Sequence, residues 1–284
     1  MKKYKKGEYR DQFVIARITD LNNCENVIRW AEKFSLMLKK GLILLYISDK
    51  NYTQCSVSEA SEVLSEINSK INLPYLHSYV ALEGKTSKII HSTGELLNGV
   101  MLITQSDNKN KSKNNPNSVD NILKDFSSSR IAYLVFSENA SYQKDFNEVV
   151  LSMDALKESK EKVLWASYFG RFSSSVIDIY YHRYRDEYLQ KQLNLNIGFA
   201  RKMFRNFSVE TRNCHSLNRR TQTDVQALDF AQREDKDLCI FQTTANKGIL
   251  ELFFGLPERK VLELMDKTPV LFLNRRDDLF IMCE

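Results

Sequence analysis

Glycine and proline are scarce in this chain, at nine and four residues, and its five cysteines are scattered with no C-x-x-C among them. The shortage of glycine matters first. No G-x-x-x-x-G-K-[ST] loop and no G-x-G-x-x-G fingerprint is present, which speaks against standard NTPases and dinucleotide enzymes. Cys24, Cys55, Cys214, Cys239 and Cys283 are odd in number, a pattern that fits a reducing cytoplasm better than a disulfide framework. Cys214 and His215 are adjacent, but no second Cys/His pair stands at zinc-site spacing. Histidine is rare as well. None of His77, His91, His182 and His215 lies in a nucleophile turn such as G-x-S-x-G, and His77 falls in a predicted strand as a structural residue. Long apolar runs are missing too. No segment approaches the roughly 20 apolar residues of a membrane span, and Met1 to Gln12 is basic and polar, unlike a signal peptide. Neither charge sign dominates: the formal net charge of +5 over 284 residues describes a mixed, solvated surface with a mild preference for anions.

What is there is an alternation, run through twice. The first pass predicts strands at 12–19, 41–48, 73–82, 99–105 and 131–136, separated by helices at 23–40, 56–72, 86–98 and 118–128. The second predicts strands at 147–153, 174–181, 208–216, 237–243 and 269–274, with helices at 157–171, 186–207, 221–233 and 254–267. The predicted strands are nearly continuous apolar runs. Strands of that kind alternating with helices indicate βαβ units and a parallel sheet covered on both faces.

The two passes are related. "VIRWAEKF" (27–34) lies against "KVLWASYF" (162–169), with Trp30 and Trp165 separated by 135 residues, near half the chain. Those Trp and Phe residues read as helix faces packed on a sheet. The seam falls in "SENASYQKDFN" (137–147), a polar linker, so that one domain spans 1–141 and the other 142–284. "SDNKNKSKNNPNS" (106–118) has no apolar residue and is expected to be a mobile surface loop. Its Lys109, Lys111 and Lys113 could meet an anion or simply be solvated. "YYHRYRDEY" (180–188) mixes aromatic and basic residues as single-strand nucleic-acid platforms do. It crosses a strand end into a helix, though, which places Tyr180 and Tyr181 on opposite faces. The run 201–220 carries six basic residues and one acidic, and reads as a solvated face.

Five strands and four helices, twice over, with a phosphate-type loop after the fourth strand, resemble the universal stress protein family in its tandem two-domain form. Two stretches carry the likeness as sequence. "VVLSMDALKESKEKVLWASYF" (149–169) is similar to that family's first strand, strand-end aspartate and first helix, with Asp154 at the aspartate position. "DLCIFQTTANKGILELFFGLPERKVLELMDKTPVLFLN" (237–274) is similar to its fourth strand, phosphate loop, fourth helix and closing Pro-Val strand. In ATP-binding members the loop is G-x-x-G, nine residues, then Gly-Ser or Gly-Thr. Glycines there let backbone N–H groups approach phosphate at a helix start. Aligned on Gly255, this chain offers Gln242, Ala245, Gly255 and Leu256, so three of the four positions have changed. In the first half Thr19 stands where Asp154 stands in the second, Asp20 follows it, and the loop after the fourth strand has no glycine.

The resemblance implies a cytoplasmic α/β protein of two open five-stranded, Rossmann-like domains about a pseudo-two-fold axis, with 131–136 and 269–274 near the seam. It implies Asp154, Thr243, Ala245, Lys247, Gly248 and Gly255 as the nucleotide-binding set, and ATP or AMP with magnesium as the cofactor to consider. Asp154 can equally cap the following helix, and Lys247 can be a solvated loop residue or a substitute for a lost backbone donor. Three functions stay open. One is a non-enzymatic stress-type protein, at most a weak ATPase, acting by ligand-gated or protein–protein contacts with degenerate loops. Another is an ATP- or AMP-binding protein using the second domain only. The last is a carrier of another small or apolar ligand in the strand-end crevice. A small molecule and an unidentified protein are the partners expected, with no nucleic acid and no membrane. The chain is a pseudo-dimer in itself, and further pairing into a homodimer is left open.

Overall fold

The computed structural model describes residues 11–52, 55–110, 112–126, 129, 131–156, 159–216, 222–243 and 257–274. The first half runs β1 (Phe13–Ile18), α1 (Glu25–Leu38), β2 (Gly41–Ser48), α2 (Val57–Ser69), β3 (His77–Glu83), α3 (Thr86–Leu96), β4 (Gly99–Gln105), α4 (Val119–Phe126) and β5 (Ala132–Phe136). The second runs β6 (Glu148–Ser152), α5 (Ser159–Phe172), β7 (Val176–His182), α6 (Glu187–Asn206), β8 (Thr211–Ser216), α7 (Thr223–Arg233), β9 (Leu238–Gln242), α8 (Pro257–Leu264) and β10 (Val270–Leu273). Each predicted element is present, most with ends trimmed by one to three residues. Local chemistry agrees where it was legible: Ser56 and Glu59 form a reciprocal capping box at the start of α2.

All ten strands join one sheet, in the order β3-β2-β1-β4-β5-β10-β9-β6-β7-β8. Every neighbouring pair is parallel except β5·β10, which is antiparallel. The order reads the same from either end once each first-half strand is exchanged for its second-half counterpart. Register locates the axis. Val14 pairs with Leu42 and Met101, and Val149 pairs with Ile177 and Leu238. The offset between halves is therefore 135 at β1 and β2 and 137 at β4. Carried on to β5, it makes Leu134 the counterpart of Leu271, and these two residues face each other directly across the seam. The pseudo-two-fold axis passes through that pair.

Alternation along the strands splits the core into two layers. Val14, Ala16, Leu44, Leu134 and Leu271 point to the face covered by α1, α2, α5 and α6, whereas Ile15, Leu45, Leu102 and Phe272 face α3, α4, α7 and α8. Near the axis α1 meets α5. The counterpart residues Phe34 and Phe169 stand edge to face, 6.0 Å apart, and Phe146 contacts each of them at 5.1 Å. Trp30 is fully buried, but its counterpart Trp165 is only partly covered, so the expected shared core role holds for one of the two. The expected burial fails for the edge strands: β3 and β8 are half exposed, because each has a neighbour on one side only. His77, on β3, lies 3.1 Å from Asn68 Oδ1 in a structural contact. Tyr180 and Tyr181 do face opposite layers.

The stretch 137–147 is less polar in place than in sequence. Its Phe146 is buried between α1 and α5, and Lys33 of α1 donates to the Tyr142 carbonyl at 3.0 Å. The loop 106–118 corrects a second expectation. Asparagine, without apolar burial, still fixes a backbone when its amide is satisfied locally. Asn115 Nδ2 donates to Asp107 at 3.0 Å, Asn117 Nδ2 to Thr19 at 2.9 Å, and Asn121 Nδ2 to the carbonyls of Lys113 and Asn115. The Asp107 N–H closes the loop on the Asn117 carbonyl at 2.8 Å.

Candidate functional site

In an open α/β sheet, ligands bind outside the carboxyl ends of the strands where the strand order reverses. The sheet has two such places, one between β1 and β4 and one between β6 and β9.

The second-half place holds the predicted aspartate. Asp154 follows β6, and each of its oxygens is engaged. Oδ1 accepts from the Leu156 N–H at 2.9 Å and from the Ser159 hydroxyl, and Oδ2 lies 3.3 Å from Lys162 Nζ. Asn196 of α6 closes the same turn from below, donating to the Asp154 and Leu156 carbonyls at 2.9 and 2.7 Å. Burial pushes the Asp154 carboxyl up, but Lys162 and the Ser159 and Leu156 donors more than reverse it, leaving it below the usual carboxylate range. Lys162 is 1% exposed at its side chain and Asp154 24%, so the aspartate is neutralised from inside the fold. Asp224, in the first turn of α7, accepts from Ser152 Oγ at the end of β6. Burial, opposed by Lys162, pushes its carboxyl up to about 6.

Lys162 is the residue the sequence reading passed over. Its signal was in the aligned helices, where the 135-residue offset sets Lys162 against Val27. A lysine at a core position of a repeat asks for a buried countercharge. Of the other predicted site residues, Thr243 turns away from the crevice: its hydroxyl donates to Asn274 Oδ1 at 2.8 Å, and its N–H to the Leu273 carbonyl at 2.9 Å. Ala245, Lys247, Gly248 and Gly255 lie outside the described residues.

The first-half place is an open cavity of about 540 Å³. Its floor is the end of β1, with Arg17, Thr19 and Asp20. One wall is formed by Gln105 to Lys109 with Asn115 and Asn117, and the opposite lip comes from the second half, at Glu263 to Asp266. Arg17 is 3% exposed but is not turned to the cavity's centre: Nη2 lies 3.1 Å from Asp125 of α4, and Nη1 donates to the Pro116 carbonyl. Lys109 is held by Glu138 at 2.9 Å. Ser106 is 2% exposed, and its hydroxyl has no hydrogen-bond partner among the described residues; the same is true of Asn117 Oδ1. The sequence reading expected no phosphate cradle in this half, and the loop has none of the glycines such a cradle uses.

The third basic feature, the run 201–220, is partly consumed in the fold. Arg212 on β8 pairs with Asp178 at 2.7 Å and with Glu148. Among the described residues no group of His, Cys, Asp and Glu is arranged to hold a metal, and no helix is long and apolar enough to cross a membrane.

No protein-family model matches the chain, and no curated protein matches it in sequence. Solved structures do match. A universal stress protein from Archaeoglobus fulgidus DSM 4304 superposes with a TM-score of 0.67 at 14% identity, covering 94% of this chain and 97% of its own. A putative universal stress protein from Pseudomonas aeruginosa UCBPP-PA14 gives 0.62 at 14% identity, with 94% of each chain covered. A functionally unknown protein from Pseudomonas aeruginosa PAO1 gives 0.64 at 13%, with 92% of each covered. At such identities the likeness is one of fold. The chain has the tandem fold of universal stress proteins.

Proposed function

We propose that this chain is a stress-type protein without catalysis of its own, which takes up a small molecule in its first-half crevice and acts through contacts with other proteins in the cytoplasm. In this reading the halves meet near residues 141 and 142, and the second-half nucleotide position has been given over to structure. The observation that carries it is the buried Lys162. A nucleoside end needs a free acceptor on Asp154, and here Lys162, Ser159 and the Leu156 N–H take both oxygens. Breaking that arrangement would take from the buried ammonium the carboxylate it pairs with at 3.3 Å and leave it only the attraction of Asp224, a cost of up to roughly 3–5 kcal/mol.

The rival reading is ATP or AMP bound by the second half with magnesium. It is favoured by the retained strand-end Asp154 and by Gly255 at its motif position. A calorimetric titration with ATP and magnesium separates the two. We expect no binding heat up to millimolar ATP from the folded protein. Micromolar binding that disappears in Asp154→Ala would establish the rival and retire the proposal.

A further inference from the structure

Helices α5 and α6 lie side by side and run the same way, because each crosses between parallel neighbours of the sheet. Charge is sorted along them. The only acid in α5 is Glu161 and the only acid in α6 is Glu187, both in the first turn. Beyond that turn α6 carries Lys191, Arg201, Lys202 and Arg205, all exposed, and Arg171 is exposed in the last turn of α5. None of these five cations has a carboxylate partner among the described residues, and Glu210, the next acid after α6, pairs with none of them. A helix dipole draws cations to the last turn, which accounts for Arg171 and Arg205. It does not reach Lys191, Arg201 or Lys202. Leu193, Ile197, Ala200 and Phe204 fix the side of α6 that packs on the sheet, so helical spacing sets Lys191, Lys202 and Arg205 on the opposite side, along about 20 Å of helix.

A second observation is independent of charge. Tyr168, Phe172 and Phe207 are exposed where the two helices end. Tyr168 and Phe172 are stacked, 5.9 Å apart and within 9° of parallel, and Trp165 meets Tyr168 edge-on at 5.6 Å. Arg171 joins the helices: its guanidinium lies 5.4 Å from the centre of the Phe172 ring and 4.6 Å from that of Phe207. The repeat does not dictate this row. In the first half Lys33, Leu36 and Met37 stand where Tyr168, Arg171 and Phe172 stand in the second, and the linker packs there, with Lys33 donating to the Tyr142 carbonyl.

We infer that the C-terminal ends of α5 and α6 form a platform for single-stranded nucleic acid, with bases stacking on Tyr168, Phe172 and Phe207 and phosphates meeting Arg201, Lys202 and Arg205. An exposed ring takes a base of any kind on its face, and a cation beside it takes the phosphate; surfaces that bind single strands combine the two. A duplex hides its base faces, and rings add nothing to its binding. A lipid surface takes up the apolar face of a helix, and those of α5 and α6 are buried in the core. Composition read 201–220 as a solvated face and nucleic acid as an unexpected partner. It could not report that rings and a guanidinium of α5 stand beside that run. The platform is separate from the first-half crevice and does not depend on it.

The test is fluorescence anisotropy of the full chain with labelled oligothymidylate and oligouridylate of about 20 nucleotides, longer than one such site needs. A duplex of the same length and vesicles of phosphatidylserine and phosphatidylcholine serve as comparisons. Single strands are expected to bind more tightly than the duplex. Their affinity should fall with salt on a log–log slope of roughly −2 to −3, as three or four phosphate contacts on a single strand give. Arg201→Gln with Lys202→Gln and Arg205→Gln should flatten that slope by about 2. Phe172→Leu with Phe207→Leu keeps the apolar cover and removes the ring faces, and should weaken binding roughly tenfold with the slope unchanged. All these side chains are exposed, and the thermal midpoint checks that each variant is folded. Duplex and single strand bound alike, with no response to the ring variant, would reduce the face to its charge and overturn the proposal. Vesicle binding without oligonucleotide binding would overturn it in favour of a membrane surface. Silence from every probe at low salt, with the protein folded, would overturn it outright.

Discussion

At the scale of single residues, the second half shows how a binding position becomes a structural one. A strand-end aspartate is useful to a ligand only while its oxygens are free, and one buried lysine is enough to change that. The same lysine leaves a mark on Asp224. Burial pushes that carboxyl up to about 6 despite the attraction of Lys162 and the Ser152 hydroxyl. A carboxyl with a folded pKa of about 6 and an unfolded one near the ordinary 3.8 binds more protons in the fold than out of it. Stability therefore declines as pH rises from about 4 to about 6 and is level above that. Asp224→Asn keeps the acceptor for Ser152 but removes the titration. The difference between the two melting profiles is expected to open across that window in favour of the variant, by no more than roughly 3 kcal/mol. Parallel profiles would show that Asp224 is solvated like an ordinary carboxylate. Asp154, shifted the other way, contributes stability that is lost only as pH falls through its depressed value.

Asp154 was legible in the sequence because it ends a predicted strand within a recognisable motif. Its neutralisation was not, because Lys162 sits eight positions away on the next helix and only the folded turn brings the two together. Ser106 and Asn117 were hidden for a different reason. They belong to an Asn- and Lys-rich run whose composition argued for disorder, and side-chain to backbone bonding, which composition does not report, set its shape.

Among the elements, α1 and α5 carry the most information. Their aligned sequences revealed the repeat, and their counterpart Phe34 and Phe169 meet at the axis. The linker strengthens that meeting. Phe146, 2% exposed, is inserted between the two rings and also reaches Trp30 at 6.1 Å. A residue that read as part of a polar connector is thus a core residue of the interface between halves. Truncating it leaves a cavity lined by aromatic rings that cannot easily collapse. Phe146→Ala is expected to cost about 3–5 kcal/mol of unfolding free energy, as buried Phe truncations do, in a urea titration. A loss under about 1 kcal/mol would mean that the linker merely rests on the helices. The strands themselves were easy to place, since continuous apolar runs between turn residues have few alternatives. The edge strands were over-read as buried because neighbour number is a property of the sheet and not of the run.

For the whole molecule, the two halves are one folding unit, because the seam is made of core. Leu134 and Leu271 are fully buried where β5 and β10 pair, so neither half could present that strand to water without exposing apolar surface and unpaired backbone groups. The axis also repeats at the level of single hydrogen bonds. Ser137 Oγ donates to the Asp266 carbonyl, and at the counterpart place, 137 residues on, Asn274 Nδ2 donates to the Ser129 carbonyl at 2.6 Å. Asn274 does more than its counterpart: it also donates to the Phe126 carbonyl at 2.9 Å and accepts from Thr243, and it is 8% exposed. It thus ties the end of α4 in one half to the strand-end loop of the other. Replacing it by alanine removes the amide donor to the buried Ser129 carbonyl, while the Phe126 carbonyl keeps the Ser129 N–H at 2.9 Å and the Thr243 hydroxyl keeps the Leu273 carbonyl at 3.3 Å, a loss of about 1–3 kcal/mol. Calorimetry of Asn274→Ala is expected to show a single transition, as in the parent chain, with its midpoint lowered by roughly 2–8 °C. Two resolved transitions in either protein would show the halves unfolding independently. Signals from a crevice in one half could not then reach the other through the sheet. A single transition makes the two crevices parts of one cooperative body, in which filling the first-half cavity stabilises the second half as well.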